Sequence, residues 1–157
     1  MTVGELTEDP EPEPGRRLEI SLQNPNGYPE ARAALLRPWL LALVGELAPR
    51  AESFAVRFVG DRAMRRINRE FRGRDSATDV LSFPGEETLE GVHLGDLVIS
   101  IPAARRQAAA RGDATEREVR TLLLHGVLHC LGYDHEVDGG EMSRLEEGLR
   151  RRWLEAS

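Results

Sequence analysis

One strongly amphipathic helix near the end of the chain constrains the fold more than any other feature. From Thr115 onward, apolar or small residues recur with the spacing of a single helix face: Val119, Leu122, Leu123, Gly126, Val127, Cys130 and Leu131. Thr115 and Glu118 have the spacing of a capping box at its start. A stripe of this length needs another layer of structure to cover it. We therefore predict a central helix over residues 115–131, buried along one side.

The other segments alternate between strand and helix patterns. Strands are predicted at 18–22, 54–58, 79–83 and 93–100. Helices are predicted at 29–47, where Pro38 is expected to kink or divide the helix, and at 61–71, with Gly60 and Asp61 supplying its cap, 103–111 and 142–153. This interleaving predicts an α+β (mixed α/β) fold in one compact domain. About four strands would form a sheet packed with four to five helices.

Length and composition limit the class of protein. A chain of 157 residues with 40% hydrophobic and 31% charged residues suits one globular domain over 16–157. Residues 1–15 are rich in Pro and Glu and are expected to form a flexible acidic tail. The longest apolar run, Trp39 to Val44, is too short to cross a membrane, and Cys130 is the only cysteine. We therefore expect a cytoplasmic protein without membrane contact.

Three of the four histidines follow one another within eleven residues. His125 and His129 are one helical turn apart, and Gly132 can end the helix so that the chain returns with His135. Three imidazoles suit one zinc ion and leave a fourth position open for water or substrate, which is typical of catalysis. Ordinary surface histidines and a four-ligand structural zinc site are the alternatives. Cys130 lies within the apolar stripe and is interpreted as a core thiol.

The residue after the first histidine separates this pattern from that of zinc proteases. Such proteases carry a Glu there as the base that activates water, whereas this chain has Gly126. The likeness to proteases is therefore one of ligand spacing only, and peptide hydrolysis becomes the weaker hypothesis.

Two segments together resemble a known family. The stretch from His125 to His135, HGVLHCLGYDH, is similar to the signature of the YbeY family of bacterial metalloproteins. Asn68 to Pro84, with FRGRD and TDVLSFP, and His93 to Ser100, HLGDLVIS, resemble its other conserved segments in the same order. The resemblance covers about residues 52–150. Ala77 and Cys130 depart from the family pattern, which usually has Pro and an apolar residue there.

The resemblance implies an activity, a cofactor and partners. It implies a zinc-dependent, single-strand-specific endoribonuclease that acts in rRNA maturation, including 16S rRNA processing, and in ribosome quality control. The implied partners are ribosomal RNA, the small ribosomal subunit, and a ribosomal protein or an assembly GTPase. Arg72 matches the arginine proposed as catalytic in that family. The rival hypotheses are a metalloprotease or other zinc hydrolase, and a non-catalytic RNA-binding assembly factor.

A basic helix precedes Arg72 although the whole chain has a net charge of −6. The predicted apolar arc holds Ala63, Met64, Ile67 and Phe71, and the opposite face holds Arg62, Arg65, Arg66 and Arg69. With Arg74 just beyond, this face is a candidate for binding the RNA backbone, and a solvated helix surface is the alternative. The general base is left open among Asp79, His93, Asp134 and Glu136.

Overall fold

Five strands and five helices make up the part of the chain described by the computed structural model, residues 18–133 and 139–155. The strands are β1 (Glu19–Gln23), β2 (Ser53–Val59), β3 (Val80–Pro84), β4 (Glu87–Thr88) and β5 (Gly91–Ser100). The helices are α1 (Ala33–Leu47), α2 (Asp61–Arg72), α3 (Ile101–Arg111), α4 (Thr115–Cys130) and α5 (Glu141–Trp153). A single 3-10 turn, Pro29–Ala31, precedes α1. The predicted α+β architecture is confirmed.

The strands form a mixed sheet in the order β1-β2-β5-β3. Strand β2 pairs in parallel with both β1 and β5, whereas β3 is antiparallel to β5. The short strand β4 pairs with the beginning of β5, inside a segment for which no strand was predicted. Strand β3 is an edge strand, so side chains from either face of the sheet can reach its outer edge.

The two faces of the sheet bury cores of different size. Strand β5 shows the division, since Leu97 and Ile99 belong to a large cluster and Val98 belongs to a small one. The large cluster includes residues of α1, α3 and α4, and the small one lies beneath α2. Helix α4 and helix α2 therefore lie on opposite faces of the sheet. Residues of both can meet only around the edge at β3.

Pro38 is predicted to kink or divide its helix, and the structure shows no division there. Helix α1 continues through it, and the break falls earlier, at the extended residue Arg32 between the 3-10 turn and α1. Leu36 and Leu40, two residues before and two residues after Pro38, are fully buried and anchor this part of α1. Burial of this face offsets the one backbone hydrogen bond that proline cannot make.

The predicted capping box at Thr115 is wrong, and of the pair predicted to cap α2 only Gly60 is confirmed. Ala114 caps α4 without a side-chain hydrogen bond, and the buried carboxylate of Glu118 instead accepts hydrogen bonds from Arg111, the shorter at 2.8 Å. Likewise Gly60 caps α2, while Asp61 is its first residue and pairs with Arg106. In both helices the acidic side chain pairs with an arginine instead of capping the helix, and that arginine is 7 residues from Glu118 and 45 residues from Asp61.

No helix among residues 18–133 and 139–155 is long and apolar enough to cross a membrane. The predicted flexible tail, residues 1–15, lies outside the described residues.

Candidate active site

Two imidazoles converge on the last turns of α4. His125 and His129 are both half-buried, and their Nε2 atoms are 2.9 Å apart, with ring centroids separated by 4.5 Å. Their four-residue spacing places both rings on the same side of α4. This side lies next to the apolar stripe, which packs against the sheet. Gly132, with a φ of +101°, then turns the chain away. The helix therefore presents two nitrogen donors to the same point.

Glu146 from α5 supports the first of these rings. Its carboxylate Oε1 lies 3.1 Å from Nδ1 of His125, and the residue is only 5% exposed. Arg150, one turn further along α5, lies 3.5 Å from the same oxygen. A carboxylate on Nδ1 holds the proton there and leaves Nε2 as the donor atom, the arrangement found behind many metal-bound histidines. The donor set thus fits zinc.

The third predicted ligand, His135, lies outside the described residues, as do Asp134 and Glu136. Within residues 18–133 and 139–155, no group of three His, Cys, Asp or Glu side chains converges on a metal position. The described residues therefore bring two of the three predicted ligands together.

Arg72 and the histidine pair face one cavity. A cleft of about 530 Å³ is lined by His125, His129, Arg72 and Tyr133, together with residues of the edge strand β3. Arg72 is the last residue of α2, on the opposite face of the sheet from α4. Its side chain crosses the outer edge of β3, where Nη2 donates to the carbonyl oxygen of Ser82 at 2.6 Å. The edge position of β3 is what allows the two helices to contribute to the same site.

Two of the candidate bases are placed by the structure. Asp79 lines the cavity, but its Oδ1 accepts from the backbone N–H of Val80 at 2.8 Å and its Oδ2 accepts from Gln107 at 3.0 Å. His93 is not among the residues that line this cavity, and its ring nitrogens contact Ser53 and Asp96. Asp79 thus lies near the site, where its hydrogen bonds stabilise the start of β3. His93 contacts residues of the sheet and lies outside the cavity.

Gly126 and Cys130 both face the sheet. A Cβ atom added at Gly126 would lie 2.6 Å from a methyl carbon of Leu97, so the helix approaches β5 more closely than a side chain permits. Cys130 packs against the large core cluster, and burial, with a smaller effect of Asp96, raises the pKa of its thiol to about 12. Neither position supplies a catalytic group to the cavity.

The predicted arginine face is exposed but partly neutralised. Asp75 receives two hydrogen bonds from Arg65, at 2.7 and 3.1 Å, and lies 3.8 Å from Arg69. The hydrogen bonds from Arg65 lower the pKa of the Asp75 carboxyl. Among the described residues, Arg62 and Arg66 have no such carboxylate partner. The four arginines therefore do not form the uniformly cationic face that the helical pattern predicted.

A second cleft adjoins the first at Arg72. It has a volume of about 430 Å³ and is lined by Arg72 and Arg74, by Asn68 of α2 and by residues of the α2–β3 loop, among them Thr78. Asn68 is buried and donates to the carbonyl oxygen of Ser76 at 2.9 Å, which shapes that loop. Arg72 thus stands between two open clefts.

Phe71 does not occupy the core as its helical position predicted. It is 63% exposed, and the buried position on that face belongs to the polar Asn68.

Sequence reasoning overlooked Glu146. A signal was present, because Met142 and Glu146 are four residues apart and share the buried face of α5. A carboxylate at a position that helical periodicity assigns to the core needs a partner. The identity of that partner, His125, depends on how α5 packs against α4.

Comparison with known proteins gives consistent results. A family model described as endoribonuclease YbeY matches residues 27–153. The protein named endoribonuclease YbeY from Thermus thermophilus is 46% identical over 126 residues, which are 77% of this chain and 91% of that protein. The solution structure of TM1509 from Thermotoga maritima superposes with a TM-score of 0.60 at 25% identity, covering 85% of this chain and 87% of the other.

Other relatives match over a smaller part of their own length. Endoribonuclease YbeY from Solibacter usitatus is 52% identical over 99 residues, which are 63% of this chain and 65% of that protein. The Myxococcus xanthus protein of the same name is 41% identical over 136 residues, 83% of this chain and 46% of its own length. The chain therefore spans less than two thirds of these two relatives.

Proposed function

Because the chain belongs to the endoribonuclease YbeY family, we propose that it is a zinc-dependent endoribonuclease that cleaves single-stranded RNA. The observation that carries this proposal is that Arg72 lines the same cavity as His125 and His129, whose Nε2 atoms converge. A cation and a pair of metal-binding nitrogens in one cleft suit a phosphodiester bound there.

His125, His129 and His135 would hold the zinc ion, one per chain. When bound, zinc supplies a Lewis acid that stabilises negative charge on a phosphodiester oxygen. Glu146 orients His125 for this purpose by occupying its Nδ1. With no carboxylate after the first histidine, and with Gly126 packed on Leu97, the protease hypothesis receives no support from this site.

Arg72 is proposed to act on the scissile phosphate. Its guanidinium is exposed, and one of its five N–H donors is held by the Ser82 carbonyl oxygen. The planar group is thereby oriented at the edge of β3 and can offer parallel donors to the non-bridging oxygens as charge gathers there.

The substrate and setting follow from the family resemblance. We infer that the chain acts on ribosomal RNA, in maturation that includes the 16S species and in quality control, at the small subunit in the cytoplasm. A ribosomal protein or an assembly GTPase is the proposed protein partner. Incubating zinc-loaded protein with precursor and mature ribosomal RNA and mapping the cut ends tests this inference.

Replacing Arg72 gives the sharpest test of the activity. Single-turnover cleavage of an unpaired RNA at saturating enzyme should slow by about 10²-fold or more in Arg72→Ala, a loss of about 2.7 kcal/mol, because the charge that develops in the transition state loses its partner. Arg72→Lys should recover little of the rate, since an ammonium group lacks the planar fork. Zinc content and melting temperature should be unchanged.

Matched controls assign each outcome to one hypothesis. Arg151→Ala removes an exposed arginine on α5 and should cleave like the wild type. Duplex RNA should be cut slowly, and casein should stay intact. Near-normal cleavage by zinc-loaded Arg72→Ala contradicts the role given to Arg72. A wild type that binds RNA without cutting it favours an assembly factor, and cleavage of casein favours a protease.

A further inference from the structure

An aromatic side chain is exposed next to the proposed catalytic arginine. Phe71 lies in the last turn of α2 with 63% of its surface open, although burying a phenylalanine is worth about 2 kcal/mol or more. Met64, two turns earlier on the same helix, is fully buried. The small core therefore extends to the surface as an aromatic face beside Arg72, next to the residues that line the two clefts.

The ring of Phe71 rests on a second aromatic residue. Phe83 lies 5.7 Å away, centroid to centroid, at an interplanar angle of 71°, and packs against the small core cluster. The guanidinium of Arg72 lies over the same Phe83 ring, 5.0 Å from its centroid. Phe83 thus holds both the exposed ring and the arginine in fixed positions on the outer part of β3.

The charge around this face favours a nucleotide over an apolar protein segment. Arg69, Arg72 and Arg74 are exposed within three residues of Phe71, as is Glu70, and Asp75 lies 3.8 Å from Arg69. Arg72 and Arg74 have no carboxylate partner among the described residues, so the charge next to the ring is cationic on balance. Proteins that bind single-stranded RNA combine cationic groups for the phosphates with aromatic faces for unstacked bases. A base in a duplex has both faces covered by its neighbours and cannot use such a surface without being flipped out.

We propose that Phe71, supported by Phe83, is a stacking platform for one unpaired base, next to the phosphate held by Arg72. The proposal rests on the proposed function and specifies its substrate: the nucleotide beside the scissile bond must be unpaired. Phe71 is a specificity-determining residue here, because the phosphate contacts alone are available to single strands and duplexes alike.

Binding to two uncleavable probes tests the platform without depending on cleavage. The first is a 2′-O-methyl RNA hexamer of mixed sequence, and the second is a hexamer with the same phosphates and no bases. The wild type should prefer the hexamer with bases, and Phe71→Ala should reduce that preference about 10-fold, within the range for one stacked base. Affinity for the abasic probe should not change.

Three further variants separate stacking from packing. Phe71→Leu keeps an apolar contact with Phe83 but lacks an aromatic face, so it should bind like Phe71→Ala. Phe71→Trp should retain the wild-type preference. Leu41→Ala removes an exposed aliphatic side chain from α1, a helix that packs beside β1 at the other end of the sheet, and should bind like the wild type. Melting curves establish that each variant is folded.

The results distinguish this proposal from the proposed function. If Phe71→Leu keeps the full preference, apolar contact explains the effect and the stacking platform is wrong. If every Phe71 variant binds both probes like the wild type, Phe71 does not contact RNA and the stacking platform is wrong. The exposed Phe71 ring would then be a candidate contact for a protein partner. A wild type that prefers the probe with bases through Phe71 but cuts no RNA retains the platform and overturns the nuclease.

Discussion

Glu146 is buried against His125, a histidine whose other ring nitrogen is proposed to bind zinc. Its Oε1 lies 3.1 Å from His125 Nδ1. Carboxylates of this kind fix the tautomer and the direction of the ring, and their loss typically weakens metal binding by about 10- to 100-fold. The proposed metal site therefore depends on Glu146, which contacts a ligand and not the metal itself.

Removing that carboxylate should weaken zinc binding without abolishing it. We expect Glu146→Ala to raise the zinc dissociation constant by about 10-fold or more, measured by competition with a chromogenic chelator. Glu146→Gln should weaken binding less, because its amide oxygen can still accept from Nδ1. His129→Ala, which deletes a ligand, should lose the metal altogether. Wild-type zinc affinity in Glu146→Ala would contradict the positioning role.

Glu30 should make folding stability depend on pH. Its side chain is 10% exposed and accepts hydrogen bonds from Arg105 at 2.5 and 2.9 Å, which lower the pKa of this carboxyl from its usual range. Because the folded pKa is depressed, the stabilisation is present above the unfolded pKa and is lost as pH falls through the folded value. Urea titrations from pH 7 to about 3 should show this loss.

Glu30→Gln should remove that part of the pH dependence and cost about 1–3 kcal/mol at pH 7, since Arg105 loses a charged acceptor. Asp75→Asn is the matched control, because Asp75 also pairs with an arginine but is exposed. It should change the pH profile little. Equal losses in the two variants would show that burial of Glu30 is unimportant.

At the scale of elements, the contact between α4 and β5 sets how closely α4, which carries His125 and His129, approaches the sheet. Gly126 leaves no room for a Cβ, because Leu97 on β5 is 1% exposed and fills the space. Bringing the helix this close to the sheet places its flank, with both histidines, at the level of the β3 edge. Gly126 therefore positions the two histidines, although it is not itself a proposed ligand.

Adding a methyl group at Gly126 should be destabilising on balance. Alanine improves helix propensity by about 1 kcal/mol, whereas overpacking a filled core costs about 1–3 kcal/mol. We expect Gly126→Ala to lower the free energy of unfolding by about 1–2 kcal/mol in urea titrations. In a Leu97→Ala background the same change should cost less, because the clash is relieved. A stabilised single variant would show that Leu97 moves aside freely.

At the scale of the whole molecule, an acidic chain must bind a polyanion through local charge. Asp75 pairs with Arg65 and lies near Arg69, so of the four arginines on the predicted face of α2 only Arg62 and Arg66 lack a carboxylate partner among the residues the structure describes. Arg72 and Arg74 continue this surface to the two clefts. The net charge of −6 thus conceals exposed arginines on α2 and at the two clefts.

Salt dependence should reveal which arginines contact phosphates. If Arg62 and Arg66 each neutralise one phosphate, replacing both with Gln should reduce the slope of log K against log salt by about 1.4, from a value of about 0.7 per contact on single strands. Arg65→Gln should change the slope less, because Asp75 already neutralises that side chain. An unchanged slope in the double variant would return this helix to an ordinary solvated surface.

The sequence by itself determined what depends on neighbours along the chain. Helical spacing placed His125 beside His129, alternation located the principal strands, and the α+β architecture followed from their order. Tertiary structure decided which distant residues meet. Glu146 reaches His125 through the packing of α5, and Arg72 reaches the cavity because β3 is an edge strand. Asp61 pairs with Arg106, 45 residues away, instead of capping α2, since ion pairs act between segments whose separation helical periodicity does not encode.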